Sequence, residues 1–433
     1  MPVRTPLLRN TVAVALLALI VRLVYFLIVR HGALIEHDSS DFIRLTAQLA
    51  HGRYSVPGAF SGGFPLDLNR PPGYPAFLLA ANGGGHVSAQ RTALVQVFLG
   101  AAFAGGLTYV VGRWLDPLTG LVAGVMMALD WSTLINTPLV LTDVMFAMLY
   151  ACGLALFAVA LLRQRWSYGL PAGLVLGVAT LVKPIGLFGL LVVAIAVLFR
   201  PRRHWRALAC VVTFALVVVP WAVRNDSRYG VFTVSTIGTV NLYSYTAQGI
   251  LHGGYLFSSG VTGTGSNPAN RTTAALRELH LTTAQLSSRM NSQAIRVIRQ
   301  HLPKAVVQEL WGALHVMFGT GKETLISTTG DRSLPSPVTS WLPLAQILVM
   351  WALTGYGITA AWRRRVMDRG SVVLLVAGIA VMILAAGGPA GYGRYRLPAT
   401  PLECVLAAVG AVALVRRSQA QTVGRPPSAE PPS

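Results

Sequence analysis

Three observations predict an all-α integral membrane protein with about ten transmembrane helices. The 433 residues are 53% hydrophobic and only 12% charged, with a mean hydropathy of +0.57, whereas about a quarter of a soluble domain is charged. Apolar stretches recur at lengths near the roughly 17–25 residues a helix needs to cross about 30 Å of hydrocarbon. Arginines collect at every second boundary between them. A net charge of +20 would suggest nucleic acid in a soluble protein. Here the arginines sit mostly in short runs beside apolar segments, which fits membrane lipid and not nucleic acid. Cys152, Cys210 and Cys404 lie inside apolar runs and read as small buried hydrophobes rather than disulfide partners.

The first stretch, 10–29, follows Arg4 and Arg9. Arg22 interrupts it and no small-residue cleavage site follows, so it reads as a retained helix rather than a signal peptide. A charge within a span needs a partner, and an acid facing the bundle is the first to seek. Asp130 and Glu403 raise the same question without belonging to a motif. The remaining spans are expected at 91–113, 117–136, 143–162, 167–182, 185–199, 206–223, 338–361, 370–388 and 397–415. The fifth and sixth meet at Lys183-Pro184, which predicts a tight outer turn. Arg163/Arg165, Arg200/Arg202/Arg203/Arg206, Arg363/Arg364/Arg365 and Arg416/Arg417 place both termini in the cytoplasm. Residues 1–415 then form one transmembrane domain of the cytoplasmic (plasma) membrane, with two long extracytoplasmic loops, 30–90 and 224–337, where function is expected. Residues 416–433, with Pro426-Pro427 and Pro431-Pro432, have no apolar period and are expected to be a disordered cytoplasmic tail.

In the first loop, residues 39–51 read as an amphipathic interfacial helix, with Phe42, Leu45 and Leu49 on one side and Asp41, Arg44 and Gln48 on the other. Asp38 is expected at its N-cap, a structural role that is compatible with a chemical one because a cap fixes a carboxylate at a known point. Arg70 precedes two prolines in Asn69-Arg70-Pro71-Pro72-Gly73-Tyr74-Pro75, which forces extended geometry on it. A planar fork of donors held this rigidly suits a phosphate; an arginine snorkelling to headgroups is the structural alternative. Tyr74 and Trp221 also read as interfacial aromatics, and Asp143 as a cap of the fourth span. The second loop opens with the Gly/Ser/Thr-rich run Gly260–Ser266, expected to be flexible. Two amphipathic helices follow, with stripes at Leu286, Met290, Ala294 and Val297 and at Val307, Leu310, Trp311, Leu314 and Phe318. They are expected to rest on the membrane or cap a cavity.

Several of these features recur in order: Arg22 and Tyr25, Asp38 before a helix ending at Gly52, Arg70-Pro71-Pro72-Gly73-Tyr74-Pro75, Thr142-Asp143, Lys183-Pro184, Pro220-Trp221-Ala222-Val223-Arg224-Asn225 and Arg394-Tyr395-Arg396-Leu397-Pro398. Together they resemble the polyprenyl-phosphate-sugar-dependent membrane glycosyltransferases of the GT-C fold, the bacterial relatives of protein O-mannosyltransferases and lipid A aminoarabinose transferases, over most of residues 10–410. The resemblance implies that Asp38 is the catalytic base, that Asp41 occupies a more variable position and that Arg70 contacts the lipid phosphate. Thr142-Asp143 stands where the family usually has Thr-Glu, and Lys183-Pro184 where it has Arg-Pro. Both differences leave those roles open.

The chemistry of such a transfer needs one carboxylate to deprotonate an acceptor hydroxyl and several cations to neutralise a leaving phosphate. Asp38 is the expected base, with Asp41 and Asp143 as second acids. Arg70, Lys183, Arg224, Arg394 and Arg396 are expected around the donor phosphate, and His37 and Tyr74 in the substrate cavity. Family and mechanism imply inversion by a single displacement. The partners would be a polyprenyl-phosphate-linked sugar, an acceptor protein, lipid or glycan, and membrane lipids. No cofactor follows from the sequence. His37 and His252 are donor types that a divalent cation takes, but they belong to no recognisable ligand cluster. The rival reading is a transporter or flippase of lipid-linked glycans. No matching pair of interrupted helices in corresponding halves supports it.

Overall fold

The computed structural model describes residues 4–163, 165–199, 204–252, 281–330, 333–389 and 391–423. The Gly260–Ser266 run lies outside them. In chain order the helices are α1 (Arg4–Val29), α2 (His37–Leu49), α3 (Leu66–Asn69), α4 (Gly73–Asn82), α5 (Ala89–Trp114), α6 (Pro117–Leu129), α7 (Trp131–Asn136), α8 (Thr142–Arg163), α9 (Gly169–Val182), α10 (Gly189–Leu198) and α11 (His204–Tyr229). There follow α12 (Ile237–Val240), α13 (Gln248–His252), α14 (Thr283–Gln300), α15 (Leu302–Phe318), α16 (Lys322–Thr329), α17 (Leu342–Arg364), α18 (Arg369–Ala385) and α19 (Thr400–Val423). A two-stranded hairpin, β1 (Phe60–Ser61) and β2 (Phe64–Pro65), turns through Gly62 and Gly63, both at positive φ as such a tight turn requires.

Among the described residues, Thr5–Val29, Ala89–Trp114, Thr142–Arg163, His204–Tyr229 and Pro337–Arg364 are long and apolar enough to cross a membrane. With the shorter apolar segments Pro117–Leu129, Trp166–Val182, Pro184–Leu198 and Arg369–Ala385, and with α19, they account for the ten apolar stretches. The protein is therefore a multi-pass membrane protein. α1 packs on α5 and α6, α9 lies between α8 and α11, and α19 runs between α6 and α17. Small residues let the backbones close up, as apolar solvent on the outside of a bundle demands. A Cβ on Gly357 of α17, for example, would sit 1.8 Å from the Leu406 carbonyl oxygen of α19.

Three expectations change. The stretch 117–136 is not one helix, because Asp130 ends α6 in extended geometry and caps α7, its Oδ2 accepting from the Thr133 N–H and hydroxyl at 2.7 Å each. Arg22 is paired with backbone rather than with an acid: its guanidinium donates to the Ala128 and Met127 carbonyls at 3.0 and 3.1 Å, capping the end of α6. The last helix continues to Val423, past the expected start of the disordered tail at 416; residues 424–433 lie outside the described residues. The two amphipathic stripes of the second loop differ: that of α14 is turned inward, with Leu286, Met290 and Ala294 buried, whereas Val307, Leu310, Trp311 and Leu314 of α15 are exposed and Gly312, Ala313 and Val316 form its buried face. Glu403 is buried in α19, and its Oε1 has no hydrogen-bond partner among the described residues.

Candidate active site

The first turn of α2 aims its two acids. The Glu36 N–H donates to Ser39 Oγ (2.9 Å), whose hydroxyl donates to the Val140 carbonyl (2.8 Å), so the helix start is fastened to the segment before α8. Glu36 is thus the N-cap residue, and Asp38 is the second residue of the helix rather than its cap. Asp38 and Asp41, three residues apart, share a face. Phe42 and Leu45, both buried, follow Asp38 and Asp41 by four residues each and anchor the same side of the helix beside them.

Arg70 is extended (φ −112°, ψ 117°), as the following proline requires, and it clasps both acids. Its Nη2 donates to Asp38 Oδ1 at 2.6 Å and to Asp41 Oδ2 at 3.1 Å, and its Nε donates to Asp41 Oδ2 at 3.2 Å. Its guanidinium carbon lies 5.2 Å from the Phe42 ring centre. Burial alone would lower the Arg70 pKa; Asp38 and Asp41 outweigh it and hold the guanidinium above its ordinary value.

A second arginine approaches from the other end of the chain. Arg394 Nη2 is 3.9 Å from Asp38 Oδ2, and its guanidinium lies 5.5 Å from the ring centres of Tyr392 and Tyr395. Lys183 Nζ stands 4.8 Å from the Tyr395 ring centre and 2.5 Å from Asp143 Oδ1. The sequence-distant groups Asp41, Arg70, Asp38, Arg394, Tyr395, Lys183 and Asp143 therefore form one chain of alternating contacts. Burial would lower the Arg394 pKa, and Tyr395, Asp143 and Asp38 raise it above the usual arginine value. Access distinguishes the acids. The side chain of Asp38 is 37% exposed, against 15% for Asp41 and 4% for Asp143.

Not every expected residue joins this chain. Arg224 donates to Asp67 Oδ2 (2.5 Å), the Tyr54 carbonyl (2.9 Å) and Asn225 Oδ1 (2.9 Å), and rests 4.7 Å from the Trp221 ring centre. It ties the first loop to α11 beside the site; Trp221 is fastened too, its Nε1–H donating to the Val234 carbonyl at 3.0 Å. Arg396 is buried and donates to the Met317 carbonyl at the end of α15 (3.0 Å). Tyr74 is fully buried against Phe42 and Phe77, with its hydroxyl donating to Gln96 Oε1 (3.1 Å). It is a core residue rather than a cavity-lining one. The His37 side chain lies outside the described residues, and His252 is exposed. No three His, Cys, Asp or Glu side chains gather as metal donors among the described residues.

Three residues assigned no site role from the sequence belong here. Tyr245, in the π-helical segment Asn241–Ala247, has its phenol pKa raised by burial and by Tyr395 and Asp38, against the pull of Arg70, which sets it beside the cluster. Asp67 anchors Arg224 and also accepts from the Tyr229 hydroxyl at 2.7 Å. Tyr395 was visible inside the Arg394-Tyr395-Arg396 motif; Tyr245 and Asp67 carry no local signal.

These side chains gather at one end of a bundle of apolar helices, and the fold of that bundle is of the GT-C membrane type. Residues 73–235 match the family model of dolichyl-phosphate-mannose-protein mannosyltransferase; the matched segment holds Asp143, Lys183 and Arg224 and begins just after Arg70. No curated protein matches the chain. Among solved structures, the apo oligosaccharyltransferase of Archaeoglobus fulgidus superposes with a TM-score of 0.57 at 13% identity, over 98% of this chain and 53% of its own. The oligosaccharyltransferase AglB of Archaeoglobus fulgidus, in complex with an inhibitory peptide and a dolichol-phosphate, gives 0.54 at 13% over 97% and 52%. ArnT from Cupriavidus metallidurans bound to undecaprenyl phosphate gives 0.41 at 15% over 97% and 81%. The chain spans about half the length of the archaeal structures it matches.

Proposed function

We propose that the protein moves a sugar from a polyprenyl-phosphate donor to an acceptor hydroxyl on the extracytoplasmic face of the plasma membrane, with both termini in the cytoplasm. The observation that carries this reading is the accessible Asp38 carboxylate held between Arg70 and Arg394. In the reaction, the acceptor hydroxyl donates a hydrogen bond to Asp38. Its oxygen attacks the anomeric carbon as the bond from that carbon to the phosphate oxygen breaks. The electron pair of the broken bond goes to the phosphate, the proton goes to Asp38, and a single displacement inverts the anomeric centre. Arg70 and Arg394 offer planar, permanently charged donors to the departing phosphate, and Lys183, fixed by Asp143, adds a point charge. Arg224 and Arg396, engaged elsewhere, support the site and do not contact the phosphate in this reading.

A transfer assay with the purified full chain in lipid nanodiscs and a panel of polyprenyl-phosphate sugars tests the proposal. Formation of a new glycosidic bond, lost in Asp38→Asn, is the expected result. Movement of intact lipid-linked glycan across vesicles, without a new glycosidic bond, would establish the transporter instead.

A further inference from the structure

Gln96 lies two turns inside α5, on no motif of the sequence, and is fully buried. Every polar atom of its amide is engaged. Nε2 donates to the Thr137 and Leu139 carbonyls at 2.7 Å each, and Oε1 accepts from the Tyr74 hydroxyl at 3.1 Å. Both directions lead to the proposed active site. Val140, next after Leu139, takes the Ser39 hydroxyl on its carbonyl (2.8 Å) and donates its N–H to the Leu34 carbonyl (3.0 Å), which brackets the start of the acid-bearing helix. Tyr74 follows Arg70 by four residues across the rigid Pro71-Pro72 step and packs edge-on against Phe42, ring centres 5.1 Å apart, beside Asp41. One amide therefore joins the support of the acids to the support of the arginine.

We propose that Gln96 is a positioning residue that sets Arg70 against Asp38 and Asp41; the role rests on the phosphate-binding reading of Arg70. A buried polar group left unsatisfied costs more than the hydrogen bond itself contributes. A leucine at this position would leave the buried Thr137 carbonyl and the Tyr74 phenol without this partner, and the Leu139 carbonyl with the Leu141 N–H alone (2.8 Å). It would also free the Arg70 turn to move relative to α2. Glutamine is suited to the place because two donors and one acceptor are needed on one planar group, which neither glutamate nor leucine supplies.

The test is binding of undecaprenyl phosphate, used as the probe, to the purified full chain in nanodiscs. Gln96→Leu is expected to weaken binding about tenfold, and Tyr74→Phe, which removes one of the two ties, by less. Because both act through Arg70, Gln96→Leu should add almost nothing in an Arg70→Ala background, whereas a general loss of packing would add in full. Thr213→Val serves as the control: it removes a half-buried hydroxyl within reach of the Leu170 carbonyl of α9 (3.0 Å) and of the Ala209 and Cys210 carbonyls of its own helix (2.9 and 3.2 Å), and should leave the affinity unchanged whatever it does to the unfolding temperature. If Gln96→Leu fails to insert, Tyr74→Phe decides alone, with unaltered binding overturning the inference. Binding that depends on Arg70 but not on Gln96 or Tyr74 overturns this inference and leaves the proposed function standing. A wild-type chain that does not bind the probe overturns both.

Discussion

Two aspartates of the first long connection each hold an arginine, Asp38 holding Arg70 and Asp67 holding Arg224 of α11, and the two pairs are built for different ends. Asp67 is almost completely enclosed, its side chain 2% exposed, with Arg224 at 2.5 Å, the Tyr229 hydroxyl at 2.7 Å and Arg228 at 3.8 Å. Asp38, by contrast, keeps 37% of its side chain accessible although Arg70 holds it at 2.6 Å. Both are short, charge-assisted contacts, so distance alone does not separate them. Accessibility does: the enclosed carboxylate fastens α3 to α11, and the more exposed one is the base in the proposed transfer.

This contrast predicts opposite phenotypes. The largest effect is expected at Asp38→Asn, which keeps the shape and removes the base: transfer should fall by roughly 10²–10⁴-fold, measured as product formed per unit of inserted protein, with undecaprenyl phosphate binding retained. Asp67→Ala comes next. It should act on stability, by roughly 3 kcal/mol, the low end for stripping one partner from a buried pair because Arg224 keeps some solvent access, read from denaturant unfolding in detergent. A variant that stays fully stable but inactive would erase the distinction between the two pairs. Arg70→Ala should weaken undecaprenyl phosphate binding by roughly 1.5–3 kcal/mol, the range for hydrogen bonds to a charged group, as seen in a titration of the purified protein. Asp41→Asn is expected to change transfer only a few-fold, since its carboxylate orients Arg70 and is itself mostly covered; a loss equal to that of Asp38→Asn would move the base to the second acid.

The sequence made the outer pair visible and hid the inner one. Asp38 and Arg70 stood out because carboxylates are scarce in this chain and because proline after arginine constrains the backbone in a way that can be read locally. The helix 37–49, the break at Lys183-Pro184 and the apolar stretches were legible for the same reason: each rests on spacing or on one residue's own geometry. Asp67 reaches Arg224 across 157 positions, and no periodicity marks such a contact. The split of the stretch 117–136 did have a signal, since Asp130 is followed by Ser132 and Thr133 and precedes a proline at 138; uniform hydrophobicity across the stretch outweighed it. Arg22 illustrates the other limit. Its charge was correctly read as needing a partner, but α6 ends inside the bundle and exposes its own carbonyls there, so backbone answers a need that side-chain reasoning assigns to an acid.

The buried face of α15 has a bearing on Arg394. A Cβ on Gly312 would lie 2.0 Å from the Gly388 carbonyl oxygen, one on Gly319 would lie 2.6 Å from the Gly393 Cα, and Arg396 donates to Met317 on the same helix. Backbone therefore touches backbone on either side of the segment that ends in Arg394, with no side chain between them to yield. Val307, Leu310, Trp311 and Leu314 look the other way and are exposed. With no compressible side chain in the contact, a shift of this helix would carry to the Arg394 segment; if the proposed transfer holds, its rate should therefore differ between thin and thick membranes.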